Sequence, residues 1–288
     1  RFSRRVSIAM TLGTLLWMAV LSATWLYTTA GGTPPAEVLT AGFEPPVSIN
    51  LRMGRTEAAG ALIINLTFLG SALLLLRRFA EEGIGSQVLL LMMAMGANGI
   101  VLTRDLFNLF VFLEISAIAT YGMIALENNG RTLAAGFKYI IAGGISSALL
   151  LLGTIFLYRA TGTLNIDGMI AAAGAAAGAP AAAGPAAGAT LSAVFLVTAA
   201  FLIELKFFPA NGWALDVYET THPAVASVIS AGTATAMVLG LDKLLPLMPS
   251  SLLSLVAAVG FLGFAAANLI GLRQADIRRM LGYSSVAH

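Results

Sequence analysis

The sequence predicts an all-α polytopic integral membrane protein that crosses the bilayer about seven times. Apolar residues make up 58% of the 288 residues and charged residues only 10%, whereas charged residues are about a quarter of ordinary soluble domains. Apolar runs of about 20 residues recur along the chain, which is the length that a helix needs to cross about 30 Å of hydrocarbon. Segments containing Pro and Gly separate these runs.

The first apolar run is Ile8–Tyr27, and arginines precede it. A secretory signal peptide begins in the same way, but its apolar core is only about 7–15 residues long, which favours a retained helix here. Residues 1–57 are therefore expected to form an N-terminal membrane helix and an external connection. Prolines between positions 34 and 46 rule out a continuous helix in that connection.

Seven further apolar segments follow the first. Their expected bounds are 58–76, 86–103, 106–126, 132–158, 190–208, 223–245 and 251–271. Two of the eight segments are interrupted or polar, so seven or eight spans are expected.

The positive charges predict a cytoplasmic N-terminus, because basic loops resist translocation. With that orientation most arginines fall on the inner side. The inner loops would carry Arg1, Arg4, Arg5, Arg77, Arg78, Arg131, Arg273, Arg278 and Arg279, and the outer loops would carry Arg52, Arg55, Arg104, Arg159 and Lys243.

The composition also excludes several kinds of site. The chain has no cysteine, so disulfides, thiolate metal sites and thiol nucleophiles are excluded. Its two histidines, His222 and His288, are too far apart in sequence to suggest a haem or zinc site. There is no Rossmann or P-loop pattern for a nucleotide, and a net charge of +2 gives no indication of nucleic-acid binding. No cofactor is expected in this chain, and any redox chemistry belongs to other chains.

Ionisable residues inside the apolar segments are the candidates for a functional site, because a charge at the bilayer centre costs about 2.5–3.5 kcal/mol on insertion scales. Glu114 lies near the middle of its segment. It marks either an ion path or a protonated carboxyl bonded to a neighbouring helix. Lys138 lies near the cytoplasmic end of the next segment, where it belongs to an ion path or acts as an interfacial anchor.

Glu204 and Lys206 come shortly before Pro209. Two residues apart on a regular helix, they point about 200° away from each other and cannot pair unless the helix is broken. A broken membrane helix is tolerated only where the freed backbone faces protein or a water-filled cavity. The segment therefore predicts either a hydrated cavity beside both charges or a simple helix end.

Buried acids and bases at modest separations shift each other's proton affinity, so Glu114, Lys138, Glu204 and Lys206 form a candidate ion relay. Three further residues lie at the expected cytoplasmic mouth and are candidates for proton entry. They are Asp216, Glu219 and His222. His222 is either a helix cap or a proton donor active near neutral pH.

Four stretches, in order, carry a resemblance to a known family. They are DLFNLFVFLEI, FKYIIAGGISSALLLLG followed by YRATGTLN, FFPANGWALDVYE through HPAVASVIS, and QADIRRMLGYSSVAH. With them the chain resembles the antiporter-like membrane subunits of complex I (proton-pumping NADH:quinone oxidoreductase), of Mrp sodium/proton antiporters and of membrane-bound hydrogenases. The DVYE and ATGTLN elements resemble the quinone-proximal type of subunit.

The resemblance implies an antiporter-like bundle of inverted five-helix repeats, each with a broken helix. Residues 85–246 would form the first repeat, with 171–189 as an Ala/Gly/Pro linker. Residues 58–84 would add a helix and a basic cytoplasmic loop, and 247–288 a helix and the start of the second repeat. The chain would then be slightly more than the first half of such a subunit, without the family's first helix.

The resemblance also implies roles for residues. Glu114 matches the family's essential glutamate, which is expected to pair with a lysine, and Lys138 matches the lysine of the next helix. His288 would belong to the second repeat. The family's broken-helix lysine falls at Glu204, with Lys206 two residues later, and its lysine on the following helix falls at Ala234. These departures favour a rewired relay in which Lys206 reaches across the break, a sodium path, or a scaffold role.

The expected function is an H⁺- or Na⁺-translocating subunit of a complex-I-like or Mrp-like assembly in a bacterial-type plasma membrane. As an enzyme component it would be a non-redox subunit of a translocase. Its expected partners are the lipid bilayer and other membrane subunits, with redox centres on those subunits and quinone contact left open. The alternatives are a structural, non-conducting subunit of the same kind of complex and, by fold analogy alone, an independent transporter of a small solute.

Overall fold

A computed structural model describes residues 4–43, 47–177 and 185–287. Seven helical segments in this part of the chain are long and apolar enough to cross a membrane, which confirms the expected all-α membrane fold. They are Arg4–Ala30, Arg55–Leu74, Ile84–Leu102, Leu106–Ala125, Gly130–Thr161, Pro223–Leu247 and Ser250–Gly271.

The N-terminal helix α1 (Arg4–Ala30) is followed by a small antiparallel hairpin. Its strands are β1 (Ala36–Leu39) and β2 (Asn50–Met53), with Ala36 opposite Met53. The sequence predicted that no continuous helix runs through this connection, and the two strands agree with that prediction. The prolines lie before and between the strands in sequence rather than inside them.

The next five helices form the first half of the bundle. They are α2 (Arg55–Leu74), α3 (Leu76–Glu82), α4 (Ile84–Leu102), α5 (Leu106–Ala125) and α6 (Gly130–Thr161). Asp105 starts α5, because its Oδ1 accepts a hydrogen bond from the backbone N–H of Asn108 at 2.7 Å.

Small residues let α4 and α5 approach closely. A Cβ at Gly96 would lie 2.6 Å from the carbonyl oxygen of Phe112 and 2.7 Å from Cβ of Ser116. Only glycine fits this contact, as expected where membrane helices pack backbone against backbone. The contact determines where α5, and with it Glu114, lies in the bundle.

Amides and hydroxyls join α1, α2 and α4 inside the bundle. The Nδ2 of Asn65 donates to Oγ of Ser22 at 2.9 Å, and the Nδ2 of Asn98 donates to Oδ1 of Asn65 at 2.8 Å. In a medium without water such bonds satisfy groups that would otherwise be costly to bury.

The predicted linker 171–189 is partly helical. Helix α7 (Ile166–Ala177) occupies its first residues and α8 (Pro185–Glu204) its last; residues 178–184 lie outside the described part. The prediction was wrong for 171–177 and 185–189 because alanine is the strongest helix former. Asn165 also caps α7, since its Oδ1 accepts from Gly168 N at 2.9 Å.

The span predicted at 190–208 is also too long, because α8 ends at Glu204. The chain resumes in α9 (Gly212–Thr220), so the helix is broken near Pro209 as predicted.

The next span consists of α10 (Pro223–Ser227), the π-helical stretch Val228–Thr233 and α11 (Ala234–Asp242). Helices α12 (Ser250–Gly271) and α13 (Ile277–Ala287) follow. Helix α8 packs along α6, and α9 packs against α6 and α13.

Candidate ion-relay site

The break after α8 brings Glu204 and Lys206 together. Lys206 has a left-handed backbone with φ of 61°, which a non-glycine residue adopts only when the surrounding structure imposes it. Because the helix does not continue, the 200° separation of a regular helix does not apply. Both side chains line one small cavity in the bundle. A hydrated cavity beside both charges was one of the two alternatives that the sequence left open.

This cavity lies between α5, α6, α9 and the span that follows the break. Its volume is about 10 Å³, close to the space that one water molecule needs. Its lining consists of Leu113, Ser116, Ala117, Tyr139, Glu204, Lys206, Trp213, Thr233 and Met237.

Lys206 is only 3% exposed. Its Nζ donates to the carbonyl oxygen of Ile229 at 3.2 Å and lies 5.7 Å from the centre of the Tyr218 ring. Ile229 belongs to the π-helical stretch of the next span, where the irregular backbone offers a carbonyl to a side chain. The lysine side chain thus reaches from the break to the next span.

Lys206 also lines a larger groove of about 740 Å³ together with Ala234. The groove runs between α2, the broken segment, α11, α12 and the end of α13, and its walls are mainly apolar. Ala234 is the position at which the resemblance places a lysine. It lines the same groove as Lys206.

Glu204 is 7% exposed, and its Oε1 has no hydrogen-bond partner among the described residues. No oxygen of Glu204 lies within 4.0 Å of Lys206 Nζ, since none of the ion pairs of the described residues includes either side chain. A polar pair separated by more than a hydrogen-bond length is the usual setting for a bridging water.

Glu114 is half-buried on α5 and accepts a short hydrogen bond from Oγ of Ser147 on α6. The expected lysine partner is not in contact with it, because Glu114 takes part in no ion pair within 4.0 Å among residues 4–43, 47–177 and 185–287. In direct contact the partner of Glu114 is therefore the hydroxyl of Ser147, and the expected pairing with a lysine over a longer distance stays a prediction.

Lys138 pairs with Asp216 instead. Its Nζ donates to Oδ2 of Asp216 at 2.5 Å, and the lysine side chain is 60% exposed. Arg279 on α13 contacts Oδ1 of the same aspartate at 3.2 Å and Glu219 at 2.6 Å. These four side chains form an ion-pair cluster that joins α6, α9 and α13 at one end of the bundle.

His222 caps helix α10. Its Nδ1 accepts from Ala224 N at 3.2 Å, and its own backbone N–H donates to Oε1 of Glu127 at 3.0 Å. Glu127 is held in turn by Arg78 at 2.5 Å. Burial, followed by the nearby charge of Arg78, lowers the pKa of His222 below its ordinary value. The lowered pKa favours the neutral form of His222, which is the form that accepts the capping hydrogen bond. The other histidine, His288, lies outside the described residues.

Lys243 and Arg104, which the sequence analysis placed in outer loops, join chain segments at the opposite end of the bundle. The Nζ of the buried Lys243 donates to the carbonyl oxygens of Ile100, Val101 and Thr103 at 2.9, 2.5 and 2.8 Å, which caps the end of α4. Arg104 makes a two-pronged contact with Asp167, and its hydrogen bonds lower the pKa of that carboxyl.

Residues 103–288 match the profile of the family described as "NADH:quinone oxidoreductase/Mrp antiporter, TM". The chain belongs to this antiporter family. It is 31% identical, over 88% of its length, to NADH-quinone oxidoreductase subunit N of Myxococcus xanthus, and 32% identical, over 98% of its length, to the subunit of the same name from Desulforudis audaxviator. The matches cover 50% and 58% of those two relatives, so the chain spans a little over half of their length.

Two solved membrane complexes contain a chain with the same fold. A chain of the archaeal membrane-bound sulfane sulfur reductase superposes with a TM-score of 0.86 at 30% identity, over 97% of this chain and 57% of that one. A chain of the Mrp complex from Dietzia sp. superposes with a TM-score of 0.78 at 24% identity, over 99% of this chain and 52% of that one. At that lower identity the likeness shows the fold alone.

The sequence analysis did not identify several polar groups around the candidate ion-relay site. Ser147 was not identified as the partner of Glu114. Tyr121, Tyr139 and Trp213 form a row of contacting rings, with centroids 4.9 Å and then 4.0 Å apart. The signal available in the sequence was the polar tip of each aromatic residue inside an apolar segment, which usually requires a partner when buried.

Proposed function

We propose that this chain is an ion-translocating membrane subunit of a multi-subunit complex, and that it moves H⁺ or Na⁺ through buried Glu and Lys side chains. The observation that carries the proposal is the cavity shared by Glu204 and Lys206 at the helix break. Ionisable groups buried in a membrane are costly and persist where they serve transport. A cation that reaches Glu204 changes the electrostatic energy of Lys206, so the two groups can pass charge between them.

Glu114 and the Asp216 cluster extend the relay on either side of this pair. Glu114 lies on α5, the helix that also contributes Leu113 and Ser116 to the cavity wall. Lys138, Asp216 and Glu219 lie at the end of the bundle that contains the C-terminus of α9. We propose that ions enter from this end.

The same end faces the cytoplasm in our proposal. The guanidinium of Arg4 donates to the carbonyl oxygen of Ala80 at 2.8 Å, so Arg4 lies beside α3, the helix that carries Arg77 and Arg78. A concentration of arginine at one end supports a cytoplasmic N-terminus. The proposed location is a bacterial-type plasma membrane, with other membrane subunits as partners and redox centres on those subunits.

The proposal is tested with the whole complex reconstituted in vesicles, using a pH-sensitive or sodium-sensitive dye inside. Lys206→Met removes the ammonium but keeps an unbranched side chain, and it is expected to reduce ion uptake to the background rate. The matched control is Arg159→Gln, which removes an exposed positive charge from the outer end of α6 and is expected to leave uptake unchanged. Wild-type uptake by a fully assembled Lys206→Met complex would reject the proposal.

A structural, non-conducting subunit is the second candidate. Two observations favour it: Glu114 has no basic partner within 4.0 Å in the described part of the chain, and Ala234 carries no charge. In that case Lys206→Met and Glu204→Gln complexes would transport ions at the wild-type rate, while complexes without this chain would fail to assemble.

A further inference from the structure

The Glu204 carboxyl is buried, and one of its two oxygens lacks a hydrogen-bond donor among the described residues. Its Oε1 is enclosed and has no partner among the described residues. Leaving such an acceptor unsatisfied costs about 1–3 kcal/mol, and more for a charged group. The surroundings of this oxygen should therefore contain a donor that reaches it directly or through water.

Gly143 on α6 marks where that donor lies. A Cβ built at this glycine would lie 2.1 Å from the phenolic oxygen of Tyr121 and 3.7 Å from Oε1 of Glu204. Both oxygens therefore surround one point, the space that any larger residue at position 143 would fill. Two oxygens that lie around one such point are within reach of a single bridging water molecule.

The position of Tyr121 is set by its aromatic neighbours. Its ring meets the edge of Tyr139 at 82°, and Tyr139 stacks on Trp213 with an interplanar angle of 6°. Tyr139 and Trp213 are both buried. The hydroxyl of Tyr121 makes no hydrogen bond within the described residues, so its proton is free for Glu204.

We propose that Tyr121 is a positioning residue for Glu204: its phenolic O–H donates to Oε1, directly or through one water, across the notch at Gly143. The inference rests on the proposed function, because it assigns to Tyr121 the task of holding the carboxyl that exchanges ions with Lys206. Tyr121 lies on the same helix as Glu114, two turns further along.

The decisive variant is Tyr121→Phe, which removes the hydroxyl and keeps the aromatic ring in its stack. In the reconstituted complex, ion uptake is expected to fall about tenfold or more, the size of effect that follows from losing one hydrogen bond to a charged group. The matched control is Tyr158→Phe, which removes a hydroxyl from an exposed tyrosine near the end of α6 and should leave uptake unchanged.

Infrared difference spectra separate positioning from a general loss of structure. The band of the Glu204 carboxyl is identified by its loss in Glu204→Gln, and it is expected to shift in Tyr121→Phe but not in Tyr158→Phe. Gly143→Ala should cause a similar shift because its methyl group displaces the phenol. If Gly143→Ala does not assemble, the Tyr121→Phe spectrum decides alone.

An unshifted Glu204 band together with wild-type uptake in Tyr121→Phe would overturn this inference. An unshifted band with reduced uptake would overturn it too, because Tyr121 would then act elsewhere. The two proposals fail in different ways. Wild-type uptake in Glu204→Gln and Lys206→Met would reject the ion-translocating function itself, whereas loss of uptake in those two variants with normal uptake in Tyr121→Phe would reject only the role of Tyr121.

Discussion

The ammonium of Lys206 donates a hydrogen bond to the carbonyl oxygen of Ile229 at 3.2 Å. The donor belongs to the break in one span and the acceptor to the π-helical stretch of the next. Lys206 also lines the same groove as Ala234, the position at which the family resemblance leads one to expect a lysine.

Because Lys206 and Ala234 line the same groove, we expect a lysine at position 234 to replace the one at position 206. Lys206→Ala should abolish ion uptake, and adding Ala234→Lys should restore part of it, because both positions line the same groove. Uptake by reconstituted vesicles measures both. If the double variant behaves like Lys206→Ala although the complex is assembled, then a positive charge at position 234 cannot replace the one at Lys206.

Glu114→Gln is expected to abolish ion-coupled uptake while leaving the complex assembled. Glutamine keeps an oxygen that accepts from Ser147, so the contact between α5 and α6 survives and only the charge is lost. Ser147→Ala is the companion variant, since it removes the hydroxyl and keeps the acid. Uptake and subunit composition are measured on the same preparation, and normal uptake by Glu114→Gln would remove Glu114 from the relay.

Asp216→Asn should loosen the contact of α9 with α6 and α13. The aspartate accepts from both Lys138 and Arg279. The neutral amide of asparagine cannot neutralise the positive charge of either residue. Because these side chains are partly exposed, the loss should be about 1 kcal/mol, which lowers the unfolding temperature by about 2–4 °C. Glu37→Gln, at the exposed pair with Arg52, is the control and should not change the temperature measurably.

His222 predicts a dependence of local stability on pH. Its pKa in the folded protein is lowered from 6.5, so the neutral cap is fully effective above about pH 6.5 and is lost as the pH falls through the lower folded value. His222→Asn keeps a capping acceptor that does not titrate. The protection of the backbone amides at the start of α10 against hydrogen exchange, corrected for the intrinsic pH dependence of exchange, should fall in acid for the wild type and stay constant for the variant; an equal fall in both would contradict the account.

The membrane fold was predictable because apolar run length is a property of the sequence alone. The position of the break was also predictable from Pro209. The relation between Glu204 and Lys206 was left as two alternatives, because it depends on the left-handed backbone of Lys206, a conformation that no local rule assigns to lysine.

The partners of Glu114 and Lys138 could not be predicted for a related reason. Ser147 and Asp216 lie 33 and 78 residues away in sequence from Glu114 and Lys138. Which side chains meet depends on how α5, α6 and α9 pack. The close approach at Gly96 shows that a single small residue controls such packing.

The central claim is that ion transport requires a positive charge at position 206, and chemical restoration of that charge tests it most directly. The natural chain has no cysteine, so Lys206→Cys introduces one reactive thiol, which lines the larger groove. We expect the Lys206→Cys complex to lose ion uptake and to recover it after reaction with an aminoethyl thiosulfonate, which rebuilds an ammonium, but not after reaction with a neutral methyl thiosulfonate. The treated wild-type complex controls for cysteines in other subunits. Wild-type uptake by the unmodified Lys206→Cys complex would contradict the account.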